Sequence, residues 1–148
     1  LQLANQVAAI ANKGYYITPH FNRNDSMKSD VHTTLVDEKY FDVVHRGMAR
    51  VMTEGTGRWY NIPELQMCGK TGTVQNPHGE DHALFIGFAP MDNPQIAVAV
   101  AVENAGFGAT WACPIATLVM EQYLTGEIKR KSLYDRMATA DLTNSTQE

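Results

Sequence analysis

The chain has 148 residues and a mass of 16.4 kDa, which is one domain or a piece of a larger one. Apolar residues make up 44% and charged residues 19%, a globular composition that excludes disorder for most of the chain. Lys and Arg number 12 against 16 Asp and Glu, a formal charge of -4 that argues against a nucleic-acid or anionic-membrane partner. No apolar run approaches the ~20 residues that a membrane-spanning helix needs.

Residues 1–12 predict a helix, because Leu3, Val7 and Ile10 recur at i, i+4, i+7 with Ala4, Ala8 and Ala11 beside them. Gly14 is its candidate C-cap. No Ser, Thr, Asp or Asn precedes it as an N-cap, so the expectation is a chain cut from a longer protein, with any targeting signal upstream. Residues 15–21 read as extended up to a turn at Pro19, residues 22–30 as a polar loop and residues 31–36 as a short strand. Asp37 caps a second helix that reaches about residue 54. Phe41, Val44, Met48, Val51 and Met52 are its apolar stripe, and Gly55 stops it. The loop at 55–63 carries Arg58, Trp59 and Tyr60, which either line a cleft or pack on the domain.

The hydrophobic period then changes from helical to alternating. Strands are predicted at 65–75, 82–89 and 96–102, with turns at 76–79 and 90–94, an antiparallel meander. In the last strand Ile96, Val98, Val100 and Val102 point one way and Ala97, Ala99 and Ala101 the other. That pattern predicts burial on both sides, with a helix close against the alanines. The large faces of the meander are expected to be only partly covered, awaiting the missing N-terminal part of the same domain. A third helix has Pro114 in its first turn, Ile115, Leu118, Val119 and Tyr123 on its stripe, and Gly126 at its end. Residues 127–148 read as a polar, loosely held tail in which Lys129-Arg130-Lys131 is a solvated run. The fold class is mixed α/β, an antiparallel sheet flanked by helices.

Cys68 and Cys113 are too few for a disulfide scaffold and lack metal-ligand spacing; they are two buried thiols or one disulfide. Asp81 and His82 are either a proton relay or a turn residue beside a partly exposed ring. With His78 and Glu80 they make either a metal-ligand set or a solvated loop.

The tetrad Lys70-Thr71-Gly72-Thr73 holds the chemistry. Gly69-Lys70-Thr71 resembles the end of a phosphate-binding loop, but Glu64 stands where that motif needs its first glycine, and the segment runs into a turn and a strand, not a helix. The other reading is the Lys-Thr-Gly strand of penicillin-recognising enzymes. Acyl transfer from a peptide or lactam needs an activated serine, an oxyanion hole and a cation for the substrate carboxylate. Lys70 supplies the charge, Thr71 and Thr73 supply hydroxyls, and Gly72 leaves room for a substrate lying along the strand. The amide of Thr73 is the candidate donor to the oxyanion.

Around this tetrad the sequence resembles class B penicillin-binding proteins, specifically the elongation-type penicillin-binding protein 2 group. The resemblance covers residues 1–126. It rests on Leu1-Gln2-Leu3-Ala4 with Ala11-Asn12-Lys13-Gly14, and on Gly47-Met48 with Val51 and Thr53-Glu54-Gly55-Thr56-Gly57. Further support comes from Cys68 through Gln75, from Asp81 through Pro90, from Val102-Glu103-Asn104 with Gly106-Phe107-Gly108, and from Pro114-Ile115-Ala116. The resemblance implies the C-terminal portion of a peptidoglycan D,D-transpeptidase domain that β-lactams acylate, and no cofactor. It also implies a parent anchored by an upstream transmembrane helix, with its catalytic domain outside the cytoplasmic membrane and in a cell-elongation complex. The family's Ser-x-x-Lys nucleophile and Ser-x-Asn motif do not occur here; Ser26-Met27-Lys28 is one residue too short, and Ser29 and Ser132 have no Lys three residues on. The expectation is one wall of an active site whose serine lies upstream. A serine β-lactamase or a non-catalytic β-lactam sensor of the same fold is the alternative.

Overall fold

The computed structural model describes residues 1–20 and 30–142. Residues 22–29 of the expected polar loop and residues 143–148 of the expected tail lie outside them. The elements are α1 (Gln2–Ala11), β1 (Tyr15–Ile17), β2 (Val31–Thr33), α2 (Glu38–Thr53), β3 (Cys68–Val74), β4 (His82–Ala89), β5 (Ile96–Val102), α3 (Ala112–Thr125) and α4 (Lys131–Thr139). Two 3-10 turns, Arg58–Tyr60 and Pro63–Leu65, lie between α2 and β3.

The meander is present as expected. β3, β4 and β5 pair antiparallel in chain order, with Lys70 opposite Ile86 and Gly72 opposite Leu84. β3 starts three residues later than the sequence predicts. Pro63 opens a 3-10 turn, and Gln66, held by Asp92 through two hydrogen bonds of 3.0 and 3.2 Å, takes a left-handed φ of 46° that breaks the extended run. β1 and β2 form a separate two-stranded sheet.

Helices cover both faces of the meander. On one face Ala83 and Phe85 of β4 and Val98 of β5 pack with Ala112, Cys113, Ala116 and Met120 of α3. On the other, Cys68 and Phe88 pack with Val7 and Ala11 of α1 and Met48 of α2, and Ala97 lies against this cluster. The small face of β5 thus admits α1, as its alanines predict. On the large face Ile96, Val100 and Val102 pack on the α3 cluster and stay only partly buried, so α3 covers that face in part, as expected. The apolar side chains that remain exposed lie elsewhere, including Tyr40, Val43 and Val44 on α2.

The caps of α2 and α3 follow the sequence; that of α1 does not, since Asn12 and not the expected Gly14 is its C-cap. Asp37 caps α2 by accepting from Lys39 N at 3.1 Å. Gly126 ends α3 in the left-handed region. At α1 the cap residue is Asn12 and the chain reverses through Lys13 and Gly14, at φ 56° and 113°. Gly14 packs so closely against Phe41 that a Cβ there would sit 3.2 Å from its ring. The stripe of α2 is shifted: Val44 is 42% exposed, and His45 is buried in its place. Its Nε2 donates to the Ile10 carbonyl at 2.7 Å and its ring packs on Phe88, tying α2 to α1.

The larger correction concerns the C-terminus. Residues 131–139 form α4, and Arg130 is no solvated side chain. Its Nε donates to Oε2 of the buried Glu121 at 2.9 Å, and its Nη1 donates to the Tyr60 carbonyl at 2.8 Å. Glu121 also accepts from Lys129 N at 3.0 Å. The run of like charges hid this, because the partner carboxylate is nine residues upstream on a helix whose stripe reads as apolar. Removing one member of a buried ion pair strands the other. Arg130→Ala is therefore expected to lower stability by about 2–3 kcal/mol in denaturant titration. A loss of only a few tenths, as for an exposed ion pair, would contradict the burial described.

Candidate functional site

The tetrad lies in the middle of β3, and β3 is the edge strand of the meander. Among the described residues no strand pairs with its outer edge, so backbone donors and acceptors there are open to an added strand. Side chains alternate along it: Cys68, Lys70 and Gly72 on one side, Gly69, Thr71 and Thr73 on the other. Burial falls toward the C-terminal end. Cys68 and Gly69 are buried, whereas Lys70 and Thr73 are exposed and Thr71 and Gly72 half-buried.

Gly69, the residue that made the phosphate-loop resemblance, has a packing role. The Phe85 ring lies where its Cβ would be, and the same ring crowds Gly87 opposite it. Lys70 Nζ donates to the Thr71 carbonyl at 2.6 Å and makes no ion pair among the described residues. The hydroxyls of Thr71 and Thr56 are 2.9 Å apart. The tetrad, Thr56, Phe107 and Gly108 border a depression of about 390 Å³. Phe107 is 72% exposed at its rim, and the Gly108 backbone rests on the Gly72–Leu84 pair, where a Cβ would meet both carbonyls. A cation, two hydroxyls and a free strand edge together suit an extended peptide with a carboxylate.

The other candidates stand apart from this depression. Asp81 Oδ1 accepts from Asn76 N at 3.0 Å and its carbonyl accepts from Ala105 N and Gly106 N, while His82 Nδ1 accepts from Asn104 N at 3.0 Å. They brace the turns at the end of the sheet, which answers the proton-relay alternative. Among the described residues no group of three or more His, Cys, Asp and Glu comes together to hold a metal. Arg58 stacks over Trp59 at 4.6 Å, and Trp59 is exposed; Tyr60 packs against the α3 cluster. Cys68 and Cys113 are both free and buried, in clusters on opposite faces of the sheet, so they form no disulfide. Thr56 and the Phe107–Gly108 rim carry no spacing signal of their own; the only cue was their place in the resemblance.

The match to known proteins settles the family. The model of the penicillin binding protein transpeptidase domain matches residues 1–121. The chain belongs to the penicillin-binding protein transpeptidase family. It is 32% identical to the peptidoglycan D,D-transpeptidase MrdA of Acinetobacter baumannii over 84% of this chain, which is 22% of that relative's length. It is 38% identical to Pseudomonas aeruginosa PBP2, solved in complex with WCK 5153, with a TM-score of 0.72 over 88% of this chain and 31% of that one. A PBP2 of Helicobacter pylori, solved in complex with MreC, shares the fold at a TM-score of 0.70 and 24% identity over 82% of this chain and 24% of that one. The chain thus spans about a fifth of the length of that curated relative, and the transpeptidase-domain fold expected from the resemblance is the one observed. No described helix is long and apolar enough to cross a membrane.

Burial pushes both thiols from the ordinary 9.0 up to about 12. The unfolded chain ionises first, so the folded state loses stability as pH rises from about 9 toward about 12. Native Cys68 and Cys113 are expected to resist iodoacetamide at pH 8.5 and to react once denatured. Fast labelling of the native chain would mean that one of them is open to solvent.

Proposed function

We propose that this chain is the substrate-binding wall of a serine-type peptidoglycan D,D-transpeptidase, a cell-wall cross-linking enzyme and β-lactam target. Residues 1–126 are its share of the transpeptidase domain, and residues 127–148 are a polar C-terminal tail that carries α4. The observation that carries this reading is Lys70-Thr71-Gly72-Thr73 on a strand edge that is open among the described residues, where Lys70 makes no ion pair. The nucleophilic serine is assigned to a segment upstream of Leu1, since the sequence holds no Ser-x-x-Lys. The membrane anchor is assigned there too, with the catalytic domain on the periplasmic side. The parent is also assigned to a cell-elongation complex, as the resemblance to the penicillin-binding protein 2 group implies.

The mechanism follows from the strand. A peptidoglycan stem peptide, or a β-lactam in its place, lies along β3 as an added strand. Lys70 attracts its carboxylate, and the hydroxyls of Thr71 and Thr73 hold it. Gly72 adds no side chain between substrate and backbone. As the serine attacks the carbonyl carbon, the Thr73 amide donates to the oxygen that becomes negative. The Lys70 charge also favours loss of the serine proton. The intermediate collapses by breaking the scissile C–N bond, and the leaving amine takes the proton that the serine gave up; it departs as the terminal amino acid of the stem peptide, or stays tethered when a β-lactam ring opens. The acyl-enzyme then passes its acyl group to an amine of a second stem peptide, whose proton goes to the serine oxygen as the ester bond breaks.

Lys70→Ala in the intact parent is expected to slow penicillin acylation about 100- to 1000-fold, the cost of removing one such electrostatic group. Thr73→Val costs less, because the backbone donor stays. Near-normal acylation by a folded Lys70→Ala protein would remove the tetrad from the active site. The 148-residue chain by itself is expected to give no labelled band with a fluorescent penicillin on a denaturing gel. A labelled band at 16.4 kDa would show a nucleophile within it.

A further inference from the structure

Thr56 has no part in the mechanism above, yet its hydroxyl lies within hydrogen-bond distance of the Thr71 hydroxyl, at 2.9 Å. It is also held in position. The turn after α2 is closed by Gly55 N and Gly57 N donating to the carbonyls of Arg50 and Val51, at 2.9 and 3.0 Å. Arg58 Nη1 donates to the Gly55 carbonyl at 3.2 Å. Gly57 is buried against the Met52 sulfur, and Tyr60 is fixed by Arg130. Thr56 thus stands on a turn anchored on both sides and borders the same depression as Lys70, which makes no ion pair among the described residues.

A hydroxyl has one proton and can either donate or accept toward a given neighbour. If Thr71 spends its proton on Thr56, it faces an incoming carboxylate with lone pairs only. If Thr56 donates to Thr71, the Thr71 proton is free to point into the depression, toward the region where Lys70 attracts negative charge. An anion selects the second arrangement, because a donor toward it is stabilised and lone pairs toward it are repelled. We propose that Thr56 is a positioning residue that donates to Thr71 and turns the Thr71 hydroxyl into a donor for the substrate carboxylate. This rests on the tetrad being the substrate site. Thr56 does not contact the reacting atoms; its effect appears only with substrates that carry the carboxylate.

The test uses the full-length protein and two probes, benzylpenicillin and its methyl ester, and reads second-order acylation rates. Thr56→Val keeps the shape and removes the hydroxyl. It is expected to slow acylation by benzylpenicillin roughly three- to tenfold, the range of one net hydrogen bond, and to leave the ester rate unchanged. Thr56→Ser restores the benzylpenicillin rate, and Thr56→Ala repeats the loss if the valine variant folds poorly. An equal fall with both probes, or none with either, overturns the proposal. Lys70→Ala in parallel separates the two layers: if it acylates normally, the tetrad reading fails and Thr56 falls with it; if it is disabled while Thr56→Val discriminates nothing, only the Thr56 role is lost.

Discussion

The ring of Phe85 lies across Gly69 and Gly87, and that contact sets how β3 sits on β4. No residue with a Cβ fits under the ring at either glycine. A slip of one residue would bring Lys70 or Cys68 beneath it and turn every β3 side chain to the opposite face. Phe85 is itself immobilised in the α3 cluster. The core therefore holds the strand from one end, and the tetrad projects from the held part to the exposed part without a hinge between them.

This gradient suits an edge strand with two tasks. Cys68 and Gly69 belong to the interior, where packing decides identity. Lys70 and Thr73 belong to the surface, where nothing in the packing demands a lysine or a threonine. An exposed lysine on an unpaired edge also fits the general need to keep such edges from pairing with other chains. What separates it from an ordinary guard residue is its company: Thr71, the Thr56 turn and the Phe107–Gly108 rim gather around the same depression.

A second anchor acts at a distance. The Glu121–Arg130 pair joins α3 to the start of α4, and Arg130 reaches across to the Tyr60 carbonyl. Arg136 of α4 donates to the Tyr60 hydroxyl at 3.2 Å. Tyr60 ends the 3-10 turn that begins two residues after Thr56. The C-terminal segment is thereby tied to the turn that borders the candidate site, although it lies beyond the residues matched to the family.

The local rules of the chain were enough for β4 and β5, whose alternation defines their bounds, and for the caps at Asp37 and Gly126. The placement of Lys70-Thr71-Gly72-Thr73 on a strand was also legible, because the segment is contiguous and alternates, and the motifs around it, not the tetrad alone, marked it as a candidate site. Tertiary structure decided what depends on partners distant in sequence. Val44 is exposed and His45 buried because the Ile10 carbonyl, 35 residues away, offers His45 an acceptor. Arg130 is held because Glu121 is buried nearby, and Thr56 meets Thr71 across 15 residues. Such pairings leave no periodic trace, since each joins two single residues; only the folded chain brings them within hydrogen-bond distance.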